Sequence, residues 1–406
     1  MEKIVVQELY KIFGPDPQKA LGMLREGLSK DKIMEKTRHG VGVANANFNV
    51  EQGEILVIMG LSGSGKSTLV RCINRLIEPT AGKVYVNGED VTRLSRKALR
   101  HFRQQHFGMV FQNFALLPHR TVLRNVEYGL EVKGVAAAVR RESAMQAIEQ
   151  VGLKGWEDSL PDQLSGGMQQ RVGLARALAL DADILLMDEA FSALDPLIRR
   201  DMQDELLDLQ EKVQKTIVFI SHDLDEAIKI GDRIVLMKDG VIVQQGTAEE
   251  ILTNPADEYV AKFVEDVDMS KVLTAETVMK KSETMAYLKT DGPKAALRKM
   301  QKAGISSIFV RDHSRVVGIV TAKACRAAAD RNEKSLADIL DRGIQKVLPD
   351  TPASDLFQYL GTESTYPVAV VNQDDHLVGV IVPGLLLSKL AESNQPAGGD
   401  GPGSAG

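Results

Sequence analysis

Short apolar runs, separated by segments with helical periodicity, dominate the first two thirds of the chain. The clearest runs cover residues 54–59, 108–112, 184–189 and 216–223. Strands that are buried on both faces of a sheet give such runs, and the helices that connect parallel strands cover those faces. The pattern therefore predicts an α/β fold with a mainly parallel sheet.

The N-terminal strands are interrupted by a segment of different character. Strand-like runs at 3–14 and 41–50 flank residues 15–40, which carry two prolines and then apolar residues at helical spacing. We expect 15–40 to be an insertion on the surface. Phe13 ends the first run, and two interpretations of it are open: a ring that stacks on an adenine, or an ordinary half-buried aromatic.

The last third of the chain contains two similar segments after a linker at 264–275. Each segment consists of a helix, an apolar strand, a polar turn and a strand with a glycine. The first segment has residues 277–279, a helix at 293–303 and strands at 306–312 and 316–321; the second has a helix at 353–360 and strands at 367–372 and 377–382. The tail 391–406, rich in Gly, Pro and Ser, is predicted to be disordered.

Composition restricts the setting of the protein. The 406 residues are 44% hydrophobic and 26% charged, which is ordinary for a globular protein. Cys72 and Cys325 lie far apart in the sequence, so a reducing compartment without structural disulfides is expected. The N-terminus lacks a signal-peptide pattern, and the longest apolar run, 378–387, is shorter than the roughly 20 residues that span a bilayer. Any membrane association is therefore expected to be peripheral or through a partner.

The stretch after the run 54–59 fits G-x-x-x-x-G-K-[ST], the phosphate-binding P-loop. Between a buried strand and a helix it presents glycines, a lysine and hydroxyls: Gly60, Ser62, Gly63, Ser64, Gly65, Lys66, Ser67 and Thr68. Glycines let backbone N–H groups turn towards phosphate oxygens, and the helix N-terminus favours an anion. Lys66 is the expected charge for the β and γ phosphates, and the Ser67 hydroxyl is the expected Mg²⁺ ligand.

Further polar residues follow other predicted strands or open helices. Gln112 ends the run 108–112, Asp188 and Glu189 end the run 184–189, and His222 follows the run 216–221. Residues 164–171 read LSGGMQQR, in which Ser165, Gly166 and Gly167 open a helix, and Asp195 lies further along the chain.

These motifs, in this order, resemble the ATP-binding cassette ATPases over residues 1–268. The resemblance implies ATP and Mg²⁺ as cofactors, a helical subdomain at about 113–180, and a working homodimer. In the family the helix opening at Ser165, Gly166 and Gly167 reaches the γ-phosphate held by the other protomer, and Asp195 lies at the dimer seam.

Roles in hydrolysis follow from the same resemblance. Ser67 and Gln112 are expected to ligate Mg²⁺, with Asp188 acting directly or through water. Glu189 is expected to polarise the attacking water, although a structural cap on the next loop is an alternative. His222 is expected to hydrogen-bond the γ-phosphate, and the segment 112–128 to transmit its state to a permease.

The two C-terminal segments resemble a tandem pair of CBS domains, at 276–338 and 340–390. Together with the insertion and the segment 113–120, they make the chain similar to the ATPase subunits of glycine betaine/proline betaine (quaternary amine) importers. That resemblance implies a separate membrane permease, an extracytoplasmic substrate-binding protein and a place at the cytoplasmic face of the cell membrane. Two alternatives stay open: an importer for another solute such as choline or a polar amino acid, and a cassette ATPase of DNA repair or translation. No nucleic-acid partner is expected.

Charge is unevenly distributed over the CBS pair. Residues 276–340 carry 13 Lys and Arg against 7 Asp and Glu, whereas 341–390 carry 3 against 6. On a helix at 293–303, Lys294, Arg298 and Lys302 form one stripe, and Ala296, Met300 and Ala303 are expected on the core side. The stripe could bind anionic lipid in a salt-dependent way or be a plain solvated face, and a nucleotide bound between the CBS segments is a further possibility.

Overall fold

The computed structural model describes residues 1–112, 114–265, 267, 272–281, 284–360, 366–382 and 384; of Phe357, Gln358 and Leu360 only the backbone is described. The chain divides into two compact units, Met1–Val264 and a second unit that begins at Glu265. The predicted tail 391–406 lies outside the described residues. Among the described residues, no helix has the length and apolar character that crossing a bilayer requires.

The first unit alternates strands and helices. Its strands are β1 (Glu2–Phe13), β2 (Gly40–Glu51), β3 (Ile55–Met59), β4 (Ala81–Val86), β5 (Glu89–Asp90), β6 (Phe107–Phe111), β7 (Ile184–Asp188), β8 (Thr216–Ile220), β9 (Arg233–Lys238) and β10 (Val241–Gly246). Its helices are α1 (Pro17–Arg25), α2 (Lys30–Thr37), α3 (Lys66–Ile73), α4 (Arg96–His106), α5 (Val122–Val132), α6 (Ala137–Gln150), α7 (Gly166–Ala179), α8 (Pro196–Val213), α9 (Leu224–Ile230), α10 (Ala248–Thr253) and α11 (Glu258–Val264).

A six-stranded sheet of order β10-β9-β3-β8-β7-β6 forms the centre of this unit. Strands β9, β3, β8, β7 and β6 run parallel, and β10 pairs antiparallel at one edge. Every residue of β3, β7 and β8 is buried, which explains their unbroken apolar runs. The predicted α/β class is confirmed, and the carboxyl ends of β3, β7 and β8 meet at one edge, where ligand sites of such sheets lie.

A second, antiparallel sheet of order β2-β1-β4-β5 packs with the central sheet around a shared core. The insertion 15–40 folds as α1 and α2 between β1 and β2. It is mostly exposed, as predicted, but Ala20, Leu21 and Ile33 bury a small core against Ile12 of β1. Helices α5, α6 and α7 pack on one another within the span expected to be helical.

The second unit contains two repeats of the same topology. Its elements are α12 (Ala275–Val278), β11 (Ala286–Tyr287), α13 (Pro293–Ala303), β12 (Ser307–Asp312), β13 (Arg315–Thr321), α14 (Ala322–Asp330), β14 (Lys346–Val347), α15 (Ala353–Leu360), β15 (Val368–Val371) and β16 (Leu377–Ile381). Each repeat has a three-stranded sheet, β11-β12-β13 or β14-β15-β16, in which the first pair is parallel and the second antiparallel. Phe309, Ile319 and Ala369 belong to a core cluster that joins the two sheets.

Residues 277–279, which the sequence analysis assigned to the first segment, pack in the structure against the second repeat. Leu273, Ala275 and Val278 lie in the core of the second repeat, and Lys280 bridges to Val380 of β16. Conversely, Leu336 packs in the core of the first repeat, as does the half-buried Leu340 that follows it. The segment before each sheet therefore completes the other repeat, because a three-stranded sheet needs a cover on its apolar face.

Candidate nucleotide site

The glycine loop leaves the buried strand β3 and enters α3 with backbone conformations that require glycine. Gly60 has φ 140° and Gly65 has φ 102°, both in the region that side chains disfavour. A Cβ on Gly60 would lie 2.1 Å from the carbonyl oxygen of Met237, and one on Gly65 would lie 2.2 Å from that of Gly42. The loop is thus pressed between β2 and the β9–β10 turn, and its shape is set by that packing.

Two polar groups inside the loop fit a phosphate ligand. The Lys66 ammonium is buried and donates to the carbonyl oxygens of Gly60, at 2.7 Å, and Leu61, at 3.1 Å. Burial lowers its pKa, and the carboxylates of Glu189 and Asp188 act in the opposite direction. The Ser64 hydroxyl is buried without a hydrogen-bond partner among the described residues. A buried hydroxyl normally has a hydrogen-bond partner, and the oxygen of a bound phosphate would be a suitable acceptor.

Asp188, the last residue of β7, lies against the first turn of α3. Its carboxylate accepts from the Ser67 hydroxyl at 2.8 Å and from the Arg71 guanidinium at 3.0 Å. Only 7% of the Asp188 side chain is exposed, so its charge is held mainly by these two groups. The structure thereby brings together two of the three predicted Mg²⁺ ligands.

Glu189 follows at once but has different surroundings. Its φ is 49°, a left-handed conformation that is uncommon outside glycine and often marks functional sites. Ser192 holds this turn, because its backbone N–H and its hydroxyl both donate to the Glu189 carbonyl oxygen, at 3.2 and 2.9 Å. The Gln112 amide donates to the Glu189 carboxylate at 2.9 Å. The third predicted Mg²⁺ ligand, Gln112, is therefore placed on Glu189 rather than on the Ser67–Asp188 pair.

Phe13 ends β1 beside the start of α3. Its side chain is 44% exposed, and the Lys11 ammonium lies 4.9 Å from the ring centroid. A Cβ on Gly42 would lie 2.8 Å from the Phe13 ring and 3.2 Å from the Thr68 methyl. The ring and Thr68 therefore share the space above Gly42, at the end of the glycine loop.

The remaining predicted residues open helices or follow strands elsewhere in the unit. Ser165 caps α7, accepting from the Met168 N–H, and Asp195 caps α8 in the same way. Gly166 and Gly167 lie beside Leu194 and Ile198, at the start of α8. His222 is exposed after β8, and no hydrogen bond joins it to another described residue. No described hydrogen bond joins Ser165, Gly166 or Gly167 to the glycine loop of the same chain.

The sequence reasoning missed residues that the structure adds to the site. Arg71 pairs with Asp188 and lies four residues after Ser67, so both point to the same face of α3, a spacing that could have identified it. Ser192, which receives a hydrogen bond from the Gln112 amide at 3.2 Å, gave no separate signal. Gly240, whose N–H donates to the Ser64 carbonyl at 2.9 Å, is recognisable only from the fold.

The donor set fits Mg²⁺ bound together with a nucleotide. Within the described part of the chain, no group of three or more His, Cys, Asp or Glu side chains could hold a metal by itself. Mg²⁺ usually takes one or two protein oxygens and completes its shell with water and substrate phosphates. The Ser67 hydroxyl and the Asp188 carboxylate, next to the glycine loop, are a donor set of that kind.

Comparisons with known proteins agree with this geometry. The family model described as "ABC transporter" matches residues 43–192, and the one described as "CBS domain" matches 275–330 as a stretch of sequence. The solved dimeric structure of the ATP-binding cassette MJ0796, in a post-hydrolysis state bound to ADP and Pi, is similar with a TM-score of 0.51 and 32% identity. That likeness covers 60% of this chain and 98% of the other.

Bacterial transport proteins match over almost the whole chain. The glycine betaine transport ATP-binding protein OpuAA of Bacillus subtilis (strain 168) is 54% identical over 400 residues, which are 98% of this chain and 95% of that protein. The glycine betaine/proline betaine transport system ATP-binding protein ProV of Escherichia coli (strain K12) is 49% identical over 391 residues, 96% and 97% of the two chains.

Fold and site together define a P-loop ATPase of the ATP-binding cassette class, which binds and hydrolyses ATP as a transporter subunit. Within this class the chain belongs to the family of glycine betaine transport ATP-binding proteins, with a CBS region after the cassette.

Proposed function

We propose that the protein is the ATP-hydrolysing subunit of an importer for glycine betaine, proline betaine or a related quaternary amine. Two copies act with a membrane permease at the cytoplasmic face of the cell membrane, and an extracytoplasmic binding protein delivers the solute. The observation that carries the proposal is the 54% identity to OpuAA, which extends through both units. Residues 1–268 then form the ATPase domain, and the CBS pair after it regulates activity.

The side chains of the site divide the work of hydrolysis. Lys66 and the N–H groups of Gly60 to Thr68 bind the phosphates, and Phe13 stacks on the adenine. When bound, Mg²⁺ neutralises phosphate charge, and Ser67 and Asp188 would hold it. Gln112, the third predicted ligand, would join them only by leaving the Glu189 carboxylate. Glu189 polarises the attacking water, and His222 donates a hydrogen bond to the γ-phosphate. The left-handed backbone and the Gln112 contact of Glu189 support an acid held in one orientation.

The second copy completes this site. Ser165, Gly166 and Gly167 present the start of α7 to the nucleotide of the partner, and Asp195 lies at the seam between the copies. The exposure of Ser165, Gly166 and Asp195 in the single chain supports this arrangement. The start of a helix is also a favourable place for phosphate.

The segment 112–128 is the proposed connection to the permease. Gln112 at its beginning touches Glu189, so a change at the nucleotide can be transmitted to the residues after it. A cysteine scan of this segment against the cytoplasmic loops of the permease tests the idea by cross-linking. A complete scan without any cross-link would exclude this surface.

The function itself is tested by stimulation of ATPase activity. The chain is reconstituted with the membrane protein that co-purifies with it and with the corresponding binding protein. Glycine betaine or proline betaine should raise the ATPase rate, whereas choline and polar amino acids should not. Stimulation only by choline or an amino acid would assign another solute, and failure to co-purify with any membrane protein would favour a cassette ATPase outside transport.

A further inference from the structure

A buried histidine lies at the end of the insertion 15–40, where the chain returns to the sheet. His39 is 4% exposed and lies where α2 has ended and β2 is about to begin. Its Nε2 accepts from the backbone N–H of Asp16 at 3.0 Å, and its Nδ1 lies 2.8 Å from the Thr37 carbonyl oxygen. Because Nε2 accepts, the proton must be on Nδ1, and the ring is the neutral tautomer.

The same ring packs on the residue that follows Phe13. Gly14 has φ 141°, and a Cβ there would lie 2.3 Å from His39 Cδ2. The imidazole therefore covers the Gly14 backbone directly, and the Asp16 N–H fixes the chain two residues further on. Phe13 itself is paired with Gly40, the neighbour of His39. His39 thus contacts the residues that follow Phe13, and its neighbour Gly40 pairs with Phe13 itself. The position of the Phe13 ring over Gly42 and Thr68 is expected to depend on these contacts.

The middle of the insertion is linked to the glycine loop through the β9–β10 turn. Lys30, the first residue of α2, forms an ion pair with Asp239 in the β9–β10 turn. The next residue, Gly240, donates its N–H to the Ser64 carbonyl oxygen and accepts at its own carbonyl from the Ala44 N–H. The insertion therefore packs beside Phe13, and through Asp239 and Gly240 it is also linked to the glycine loop.

We propose that His39 is a positioning residue for nucleotide binding, which holds the Phe13–Gly14 turn so that the Phe13 ring can stack on the adenine. The proposal rests on the proposed stacking role of Phe13. The insertion is mostly exposed, but it then has a defined role in the site. Its residue His39 fixes the position of the aromatic ring that would contact the adenine.

The experiment measures ATP affinity of the full chain by calorimetry, in EDTA so that no turnover occurs. Phe13→Ala should weaken ATP binding about 5- to 150-fold, which is the loss expected when one base–aromatic stack is removed. His39→Ala should weaken ATP binding by a similar factor. His39→Gln, whose amide oxygen can accept from the Asp16 N–H, should recover most of the affinity. Lys36→Gln, an exposed change in the same insertion, is the matched control and should have no effect.

Inorganic tripolyphosphate, which has no base, separates positioning from general damage. Its affinity should be the same in wild type, His39→Ala and Phe13→Ala. The double variant should bind ATP no more weakly than Phe13→Ala alone, because both changes remove one interaction.

Four results would overturn the proposal. Equal weakening of tripolyphosphate and ATP by His39→Ala would show a general structural role, and additive effects in the double variant would show independent action. Normal ATP binding by His39→Ala, with weak binding by Phe13→Ala, would show that His39 has no positioning role but would support stacking by Phe13. Normal binding by Phe13→Ala would instead remove the stacking role and, with it, this inference.

Discussion

Asp188 and Glu189 are adjacent carboxylates with separate partners. Asp188 completes β7 and is held by Ser67 and Arg71, whereas Glu189 leaves the strand in a left-handed conformation and meets Gln112. A regular strand would direct successive side chains to opposite faces of the sheet. The break in conformation at Glu189 therefore lets both acids remain beside the glycine loop, as their proposed roles in metal binding and water activation require.

Lys66→Ala should weaken ATP binding itself. The ammonium is the buried donor of the loop, and hydrogen bonds to charged groups contribute about 1.5–3 kcal/mol, or roughly 10- to 150-fold in affinity. Calorimetric titration with ATP measures this, with Lys97→Ala on the exposed face of α4 as the control. Unchanged affinity in Lys66→Ala would contradict the assignment of the phosphate site.

The two cysteines should be unreactive in the folded protein. Burial raises the pKa of the Cys72 thiol to about 12, against a smaller opposite effect of Lys11, and burial also raises the pKa of Cys325. Because the thiolate is the reacting species, both thiols stay protonated and inert at pH 8. Mass spectrometry after iodoacetamide should find no addition to the native chain and two additions in urea. Rapid alkylation of native Cys72 would show that α3 opens locally.

At the scale of elements, the sequence predicted what depends on local pattern. The central strands, the insertion helices, α13 and the strands of both CBS repeats appear where apolar spacing placed them. The exchange of covering segments between the repeats could not be predicted, because periodicity shows that 277–279 has an apolar face but not which sheet it covers. Ala303 was wrongly expected in the core; it is exposed in the last turn of α13, next to the left-handed Gly304 that ends the helix.

The residues of the candidate site also divide into those that the sequence predicts and those that only the structure shows. Residues in a fixed motif, such as Gly60 to Thr68, were found from the sequence. Groups that reach the site through packing were not: Gly42, Gly240 and the base of the insertion come together only when the sheets pack.

The exchanged segments predict unequal effects of two glycine substitutions. A Cβ on Gly318 would lie 2.4 Å from the Asp341 carbonyl oxygen, whereas one on Gly379 would meet Met279 Sδ at 2.2 Å. Backbone cannot move aside as a methionine can, so Gly318→Ala should destabilise its repeat more, by about 1–3 kcal/mol. Hydrogen exchange of β12 and β13 compared with β15 and β16 measures the local effect.

Two controls accompany this comparison. Gly22→Ala in α1, where a Cβ meets nothing within 4 Å, should be neutral or slightly stabilising. Met279→Ala should relieve the Gly379→Ala variant if the exchanged contact is real. Equal hydrogen-exchange rates in all these variants would show that the two repeats do not swap their covering segments.

Helix α13 carries the proposed lipid contact. Lys294, Arg298 and Lys302 are all exposed along one side, while Ala296 and Met300 are buried. Anionic lipid attracts such residues by about 1 kcal/mol each, and the attraction weakens as the Debye length falls from ~10 Å at 0.1 M salt to ~3 Å at 1 M. Docking at low salt would keep the transporter inactive, and release at high salt would activate it.

Replacing all three with Gln in a transporter reconstituted with anionic lipid should lower the salt concentration for half-activation. The exposed lysine and arginines Arg96, Lys97 and Arg100 of α4, changed in the same way, serve as the matched control. An unchanged half-activation point in the α13 variant would show that the stripe is a solvated face.

At the scale of the whole molecule, the proposed dimer takes two half-sites from each chain. The glycine loop, Asp188 and Glu189 form the first proposed half-site, and the start of α7 with Asp195 forms the second. ATP bound between two copies would join these half-sites, and its hydrolysis would separate them. The central claim is therefore that Glu189 hydrolyses a nucleotide that also holds two chains together.

Mass photometry of Glu189→Gln with Mg²⁺ and ATP tests this claim most directly. The variant should bind ATP, lose activity by about 10²-fold or more, and form a stable dimer with ATP but not with ADP, because removal of the base blocks the step that separates the copies. Glu142→Gln, an exposed change in α6, should behave as wild type. A Glu189→Gln chain that stays monomeric with ATP bound, or retains near wild-type turnover, would contradict the account.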